Sequence, residues 1–353
     1  MLPQNEIRHG VQDSSAVGPR GVPANPGEAI NITVLLCTFN RGRRLSTALD
    51  SVAAQILPDS VSWEVVVVDN NSTDQTREIV ERYCRRYPGR FRYIFESHQG
   101  LSRARNTGIR ESRGGVIAFI DDDVIAEPTW LQNLTASLYD GKWSGAGGRI
   151  VPPLDFNPPD WFTIGGKMDL VGAILPIFDL GDQAGEMLRP PYGTNMAYRK
   201  SMFERHGMFR TDLGRCGNSL VMGEDTEFGN RLMAAGGSLR YEPSAVVEHP
   251  VPEERLSKKF FRSWWLDYGR TRIIERGGAP PLFGIPRQFL SLLSLVARFL
   301  LPRIFKWMFT FNSRRRFYNK CQVWLTMGEI AQTYQQFIDT KGTNQKISPQ
   351  SQS

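Results

Sequence analysis

Apolar runs of strand length alternate, over the first third of the chain, with segments whose apolar residues recur at helical spacing. Ile32-Thr33-Val34-Leu35-Leu36 sits inside a run over residues 30–40 that ends in Thr38-Phe39-Asn40, and Leu45, Leu49, Val52 and Ile56 follow at helical intervals. That pattern predicts a strand followed by a helix. A second unit repeats it: Trp63 to Val68 is apolar and β-branched, Asp69-Asn70-Asn71 closes it, and Ser72 with Gln75 reads as a capping box for a helix to about Arg86. Phe91 to Phe95 is a third short strand, and Gly100 to Arg113 a third helix with Leu101, Ala104, Gly108 and Ile109 on one side. The unbroken run Gly115-Val116-Ile117-Ala118-Phe119-Ile120 then reads as a strand covered on both faces of a parallel sheet, and Asp121-Asp122-Asp123 ends it. Alternating strands and helices with short connections predict an α/β fold in which ligands bind beyond the carboxyl ends of the strands. Thr38, Asn40, Asp69 and the Asp triplet all stand at such ends, so these polar groups converge on one crevice.

In extended backbone Asp121 and Asp123 point one way and Asp122 the other. Neighbouring anions repel one another, and a cation relieves them. Hard oxygen ligands suit Mg²⁺ or Mn²⁺, and an ion held by one or two carboxylates keeps positions free for phosphate oxygens. A nucleotide is therefore the natural occupant, with Asp69 accepting from base or ribose, Thr38 and Asn40 lining the pocket, and Asp121 and Asp122 beside the diphosphate. Taken singly, Asp69-Asn70 also reads as a turn and Asn40 as a local cap. No Gly-x-Gly-x-x-Gly loop follows the first strand and no Gly-x-x-x-x-Gly-Lys-Ser/Thr occurs, which removes support for dehydrogenase and P-loop chemistry.

Composition changes the picture mainly through charge. With 353 residues, 41% hydrophobic and 22% charged, the chain can bury one large domain with an appendage. Cys37, Cys84, Cys216 and Cys321 form no Cys-x-x-Cys pair, which argues against a zinc knuckle or disulfide framework and suits a reducing compartment. Met1 to Glu28 is polar and rich in Pro, Gly and Ser, without a charged-then-apolar signal pattern, so residues 1–29 are expected to be a disordered lead-in to a cytoplasmic protein. The net charge of +7 is uneven: Arg255 to Lys320 holds 15 Lys or Arg against Asp267 and Glu275, hence +13, leaving −6 elsewhere. A basic end implies a polyanionic partner, a membrane face or nucleic acid. Phe260, Phe261, Trp264, Trp265 and Tyr268 crowd a basic helix there. Gln288 to Phe311 is mostly apolar but interrupted by Arg298, Pro302, Arg303 and Lys306; its charge-free part, Gln288 to Ala297, is half a span. This favours amphipathic helices in a membrane interface, with Trp307 and Arg314-Arg315-Arg316 as anchors, over nucleic acid. The competing reading is an ordinary helical cap.

Several blocks together resemble family-2 glycosyltransferases: Leu36-Cys37-Thr38-Phe39-Asn40-Arg41, Val67-Val68-Asp69-Asn70-Asn71-Ser72-Thr73-Asp74, Gly100-Leu101-Ser102-Arg103-Ala104-Arg105-Asn106-Thr107-Gly108 and Phe119-Ile120-Asp121-Asp122-Asp123. Gly193-Thr194-Asn195-Met196-Ala197-Tyr198-Arg199, Gly207-Met208-Phe209-Arg210, Gly223-Glu224-Asp225-Thr226-Glu227 and Glu248-His249 are similar to the same family's second half. The ordered set spans about residues 30–255. The resemblance implies a GT-A type, Rossmann-like, mixed and mostly parallel sheet flanked by helices; the basic, aromatic segment 256–340 is expected to be a C-terminal helical extension and 341–353 a disordered tail. It also implies transfer with inversion from a nucleotide-diphosphate sugar, a UDP-sugar foremost, to a hydroxyl on a glycan or lipid-linked acceptor. The setting would be polysaccharide or glycolipid synthesis, on the cytoplasmic face of a membrane if the extension docks there.

Such a reaction builds negative charge on a departing diphosphate, and a metal bridging its oxygens stabilises that charge. Asp121 and Asp123 are the anchoring candidates; Arg105, on the preceding helix, adds a cation toward the phosphates, while Arg103 reads as solvated. Inversion requires a base across the sugar from the metal. Gly223 precedes Phe228, Leu232 and Ala235 at helical spacing, and Gly236-Gly237 ends the run, so Glu224 and Asp225 stand at a helix N-terminus, whose dipole keeps a carboxylate ionised. Acids there also simply cap helices. By the resemblance Asp225 is the general base, Glu224 assists it or contacts the acceptor, and His249, after the strand Ala245 to Glu248, is a further metal ligand that shifts preference from Mg²⁺ toward Mn²⁺. Val151 to Arg189, with Trp161 and Phe162, is expected to be a loop-like insertion whose rings stack on an acceptor sugar or plug a core edge. Lys258 to Trp265 is similar to the acceptor-binding helix of processive synthases but lacks their glutamine and flanking transmembrane helices, which favours single additions. A nucleotidyltransferase would show a Gly-rich basic loop after its first strand, and a non-catalytic nucleotide-sugar or polyanion binder would lose the metal and base carboxylates, all of which are present.

Overall fold

The computed structural model describes residues 7–8, 31–153, 156–157, 159–162, 170, 177–217, 219–276 and 292–346. The chain divides into two compact units: the first takes 1–156, 175–217 and 224–251, the second 157–174, 218–223 and 252–353.

The first unit is built on one ten-stranded sheet. Its strands are β1 (Ile7–Arg8), β2 (Ile32–Thr38), β3 (Trp63–Asp69), β4 (Phe91–Phe95), β5 (Val116–Asp121), β6 (Ile125–Ala126), β7 (Gly145–Val151), β8 (Gly185–Met187), β9 (Asn195–Arg199) and β10 (Leu239–Glu248). The order is β1-β8-β10-β7-β9-β5-β2-β3-β4, with β6 paired to β10. β5, β2, β3 and β4 run parallel, as do β7 and β10, while β9 lies antiparallel between β5 and β7. The sheet is thus mixed, with its long ladders mostly parallel. The strand ending in the Asp triplet has a parallel neighbour on one side only, contrary to expectation. Its apolar run reflects helices and loops on both faces, and this coverage does not depend on strand direction. β1 falls within the segment expected to be disordered; Ile7 and Arg8 pair with Met187 and Glu186, and the rest of 1–29 lies outside the described residues apart from these two.

The covering helices follow their apolar spacing. α1 (Gly42–Ala53) buries Leu45, Leu49 and Val52, but stops before Ile56, which is 59% exposed. α2 (Thr76–Arg86) does not use the Ser72 and Gln75 box. Ser72 Oγ accepts from the Asn40 N–H, and Asp74 meets the first turn through the backbone N–H and hydroxyl of Thr76. α3 (Leu101–Glu111) lies over β2 and β3, α4 (Trp130–Thr135) over β10, and α5 (Lys200–His206) and α6 (Glu224–Ala234) complete the unit. The ladder between β10 and β7 shifts between Glu242 and Val246, where Pro243 has no N–H to donate.

The second unit pairs α7 (Lys258–Arg276) with the long helix Ser313–Lys346. Their backbones approach so closely that a Cβ on Gly269 would lie 2.1 Å from the Leu325 carbonyl oxygen, and one on Gly328 would run into Leu266. Buried Glu329 accepts from Arg272 at 3.0 Å across the pair. Trp161 and Phe162, from the central insertion, belong to this unit and pack edge-on against Phe261, with Trp161 also against Phe317. These rings thus fill an edge of the second unit's aromatic cluster.

Candidate active site

The carboxyl ends of β2, β3 and β5 are pinned by the polar residues that close them. Asp69 is buried; Oδ1 accepts from the Ser72 N–H at 2.9 Å and Oδ2 from the Tyr93 hydroxyl at 2.9 Å. Asn40 adopts φ 52°, and its Oδ1 accepts from the Thr73 N–H at 2.8 Å, so it clamps the loop after β3. Asn70 does the same for the loop before α3, donating to the carbonyls of Glu96 and His98 and accepting from the Gly100 N–H. Thr38 is buried at the end of β2.

Helix α3 carries the link to the second half. Ser102 donates to the Leu213 carbonyl, and the Asn106 amide exchanges hydrogen bonds with the backbone of Phe209 in both directions. Arg103 is exposed, as expected, whereas Arg105, two residues further and therefore on the other side of the helix, is only 4% exposed. Arg105 does not reach outward as a free phosphate cation. Nη1 donates to Glu224 Oε1 at 2.5 Å, Nη2 stands 3.5 Å from Asp121 Oδ1, and the guanidinium lies over the Phe209 ring. Burial works against its charge, but Glu224, Asp121 and Asp225 outweigh it and hold the guanidinium firmly protonated. One cation serves three acids. Burial, opposed by Arg105 and aided by Asp225, pushes Glu224 up to about 7, and its Oε2 has no partner among the described residues.

Asp225 opens α6 beside Glu224 and is half-buried. Its Oδ2 accepts from the Gly193 N–H at 2.6 Å and its Oδ1 from the Thr226 N–H at 2.7 Å. The block Gly193-Thr194-Asn195 acts at three points. Gly193 holds Asp225, Thr194 donates its hydroxyl to Asp121 Oδ2 at 2.6 Å, and Asn195 accepts from the Trp130 indole while donating to the carbonyls of Arg149 and Ala245. A Cβ on Gly193 would lie 2.3 Å from Arg105 Nη2, so any larger residue there has to displace the guanidinium from its place among the acids.

The alternation expected for the Asp triplet fails because β5 ends at Asp121 and the chain turns. Asp121 faces Arg105 and Thr194; Asp123 faces Arg41, at 3.4 Å, and His249, whose Nε2 is 3.6 Å from Asp123 Oδ1. Asp121, Asp123 and His249 are therefore not gathered as three ligands of one ion, and among the described residues no three His, Cys, Asp or Glu side chains form such a group. The pairing of Asp123 with His249 comes from β6, which follows the triplet and lies antiparallel to the end of β10, with Ile125 opposite Glu248. His249 Nδ1 lies 2.9 Å from the Pro250 carbonyl oxygen, which can only accept, so Nδ1 is the donor there and Nε2 is the ring nitrogen turned toward Asp123. Burial, then the charge of Asp123, pushes Asp122 up to about 7. The Asp123–His249 pair, with Asp122 next to it in sequence, is of the donor type that suits a divalent cation. Cys37 stands among the same charges, but burial pushes its thiol up to about 12, so it stays neutral and offers no nucleophile.

Two participants were not singled out from the sequence. Arg41 lies inside the first motif block without any pattern of its own. Thr194 lies inside another, and its partnership with Asp121 depends on β9 running beside β5.

A mixed sheet flanked by helices, with acids at its strand ends and at a helix N-terminus, is the arrangement of the GT-A fold, and the comparisons agree. The mannosyltransferase PcManGT from Pyrobaculum calidifontis, in complex with GDP-Man and Mn²⁺, shares the fold with a TM-score of 0.56 at 20% identity, over 90% of this chain and 91% of that one. The chain belongs to glycosyltransferase family 2, whose model, Glycosyl transferase family 2, matches residues 33–207. The succinoglycan biosynthesis protein ExoM of Rhizobium meliloti is 31% identical over 247 residues, 67% of this chain and 74% of that protein. The glucosyl-dolichyl phosphate glucuronosyltransferase of Haloferax volcanii is 27% identical over 260 residues, 68% and 76% respectively.

Proposed function

We propose that this glycosyltransferase moves a sugar, with inversion, from a nucleotide-diphosphate sugar to a hydroxyl of a glycan or lipid-linked acceptor in polysaccharide or glycolipid synthesis. The observation that carries the reading is the Arg105 clamp, which draws Asp121 from the end of β5 and Glu224 from the start of α6 together beside Asp225. The named activities of the Rhizobium and Haloferax relatives support the acceptor class.

Asp225 is the base in this reading. Two backbone N–H groups hold and aim its carboxylate at the start of α6, and it takes the proton of the attacking hydroxyl. Glu224 is turned inward on Arg105 and acts as a positioning residue. Asp69, Thr38 and Asn40 shape the nucleotide end of the crevice, Asn40 and Asp69 by holding the loop between β3 and α2. Asp123 and His249, with Asp121 and Asp122 nearby in sequence, would hold Mn²⁺ or Mg²⁺; the Mn²⁺ in the Pyrobaculum complex supports a divalent ion. Such an ion neutralises charge on a departing diphosphate.

Purified protein is to be screened against UDP-, GDP- and dTDP-sugars with Mn²⁺, following release of nucleoside diphosphate. Asp225→Asn is expected to lower turnover by about 10²–10⁴-fold, the scale of a lost general base, while nucleotide binding persists. Equal turnover in that variant removes Asp225 as base.

A further inference from the structure

The helix Leu301–Met308 in the second unit wears its apolar residues outward. Leu301, Phe305, Met308 and Phe309 recur at i, i+4, i+7 and i+8 and are 57%, 64%, 58% and 59% exposed; Phe311, just beyond, is 98% exposed. The inward side carries a charge beside Ile304 and Trp307. Arg303 is half-buried and donates from Nη1 to the Thr326 hydroxyl and the Gln322 carbonyl of the helix Ser313–Lys346. An ordinary surface helix turns these faces the other way. A contiguous exposed apolar stripe marks a surface that something covers.

The surrounding charge selects the cover. From Arg276 to Gly328 the chain has no Asp or Glu, but has Arg276, Arg287, Arg298, Arg303, Lys306, Arg314, Arg315, Arg316 and Lys320. Arg298, Lys306 and Arg314 to Arg316 are exposed alongside or just after the stripe. Trp307, half-buried with Lys320 over its ring at 5.5 Å, supplies the amphipathic aromatic found at lipid headgroup level. A second copy docking on this stripe would bring cations of one sign against themselves. A sheet of anionic headgroups over hydrocarbon matches both features at once. No helix among the described residues is long and apolar enough to cross a membrane, so the contact lies in the interface plane.

We propose that Leu295 to Phe311, edged by Arg314-Arg315-Arg316, seats the protein on the anionic face of a lipid bilayer. The inference is independent of the donor and acceptor, because it concerns binding alone.

The test is flotation of the full chain with vesicles of phosphatidylcholine alone and of phosphatidylcholine mixed with phosphatidylglycerol, with no sugar nucleotide present. The wild type is expected to float with the mixed vesicles and to be released as salt rises. Replacing Arg314, Arg315 and Arg316 together by Gln is expected to weaken partitioning about a hundredfold, from roughly fivefold for each basic residue at the surface. Phe305→Glu with Phe309→Glu is expected to abolish it. Both variants alter exposed side chains, so unchanged melting temperatures show that the fold is kept; should either fail to fold, the salt and lipid dependence of the wild type decides alone. Absence of flotation with mixed vesicles, or flotation unaffected by salt and by both variants, overturns the proposal. So does a dimer by light scattering that Phe305→Glu with Phe309→Glu dissolves while the wild type ignores vesicles, since the stripe then belongs to a second copy.

Discussion

The backbone N–H of Gly193 donates to Oδ2 of Asp225 across 2.6 Å, joining the loop ahead of β9 to the first turn of α6. The contact exists because the missing Cβ leaves room for the Arg105 guanidinium. Gly193→Ala would set a methyl 2.3 Å from Arg105 Nη2. Overpacking of this kind costs about 1–3 kcal/mol, and here the relief requires Arg105 or Asp225 to move. Expected outcomes are a lower melting temperature and a turnover loss of at least tenfold, read by calorimetry and by nucleoside diphosphate release. A variant with full turnover would show that the Gly193 contact does not place Asp225.

Arg105 and Glu224 are a buried ion pair, so removing one member strands the other. Arg105→Met leaves Glu224, Asp121 and Asp225 without their shared cation and is expected to destabilise the protein by about 3–5 kcal/mol. The double variant Arg105→Met with Glu224→Met removes the stranded charge and is expected to recover a good part of that loss in a denaturant titration. Additive losses would mean that the two side chains are not coupled in solution. Both variants are expected to be poor catalysts, since neither keeps the clamp.

Divalent metal binding is expected to depend on Asp123 and His249 together. Measured by Mn²⁺ paramagnetic resonance without substrate, His249→Gln and Asp123→Asn should each weaken Mn²⁺ by on the order of tenfold or more, the scale at which even partners of metal ligands act. Asp121→Asn should weaken it less, because Asp121 is engaged by Thr194 and Arg105. Chelation should abolish turnover in the wild type and leave the melting temperature nearly unchanged. If Asp121→Asn proves the most damaging of the three to Mn²⁺ binding, the ion sits on the Arg105 side instead.

Asp74 gives a pH-dependent contribution to stability. Burial opposes its charge, but hydrogen bonds from the Thr76 hydroxyl and from the backbone of Gly42 and Thr76 hold its carboxyl below the usual range. A carboxyl lowered in the folded state stabilises fully above its unfolded value, near 3.8, and that contribution disappears as pH falls through the folded value. Asp74→Ala is expected to cost about 1 kcal/mol at neutral pH, as for a helix-capping side chain. The difference from wild type should shrink below about pH 4. A difference independent of pH would show that size, not charge, is what Asp74 contributes.

Strands β2, β3 and β5 were legible because each is covered on both faces, and such strands must be apolar at every position. The helices between them were legible from one-sided spacing. The Ser72 and Gln75 box misled because Ser72 is claimed by Asn40 from another loop, a partner no local pattern announces. Asp69, Asp121 and Asp225 could be named as site candidates because acids at strand ends and helix starts have few other uses in such a pattern.

Which acid faces which partner was a tertiary decision. The turn after Asp121 breaks the alternation that would have aligned it with Asp123, and the pairing of β6 with β10 then carries Asp123 to His249. Arg105 looks like any basic helix residue in sequence, yet the fold buries it among carboxylates contributed from far along the chain. The outward stripe of the helix Leu301–Met308 shows the same division. Sequence supplied an amphipathic segment, and packing of Arg303 against Thr326 chose the face left to the solvent. By itself the sequence determined the family, the elements and the inventory of acids, because those depend on neighbours along the chain. Their pairing depended on contacts between residues separated by tens to more than a hundred positions, and only the folded chain brings those together.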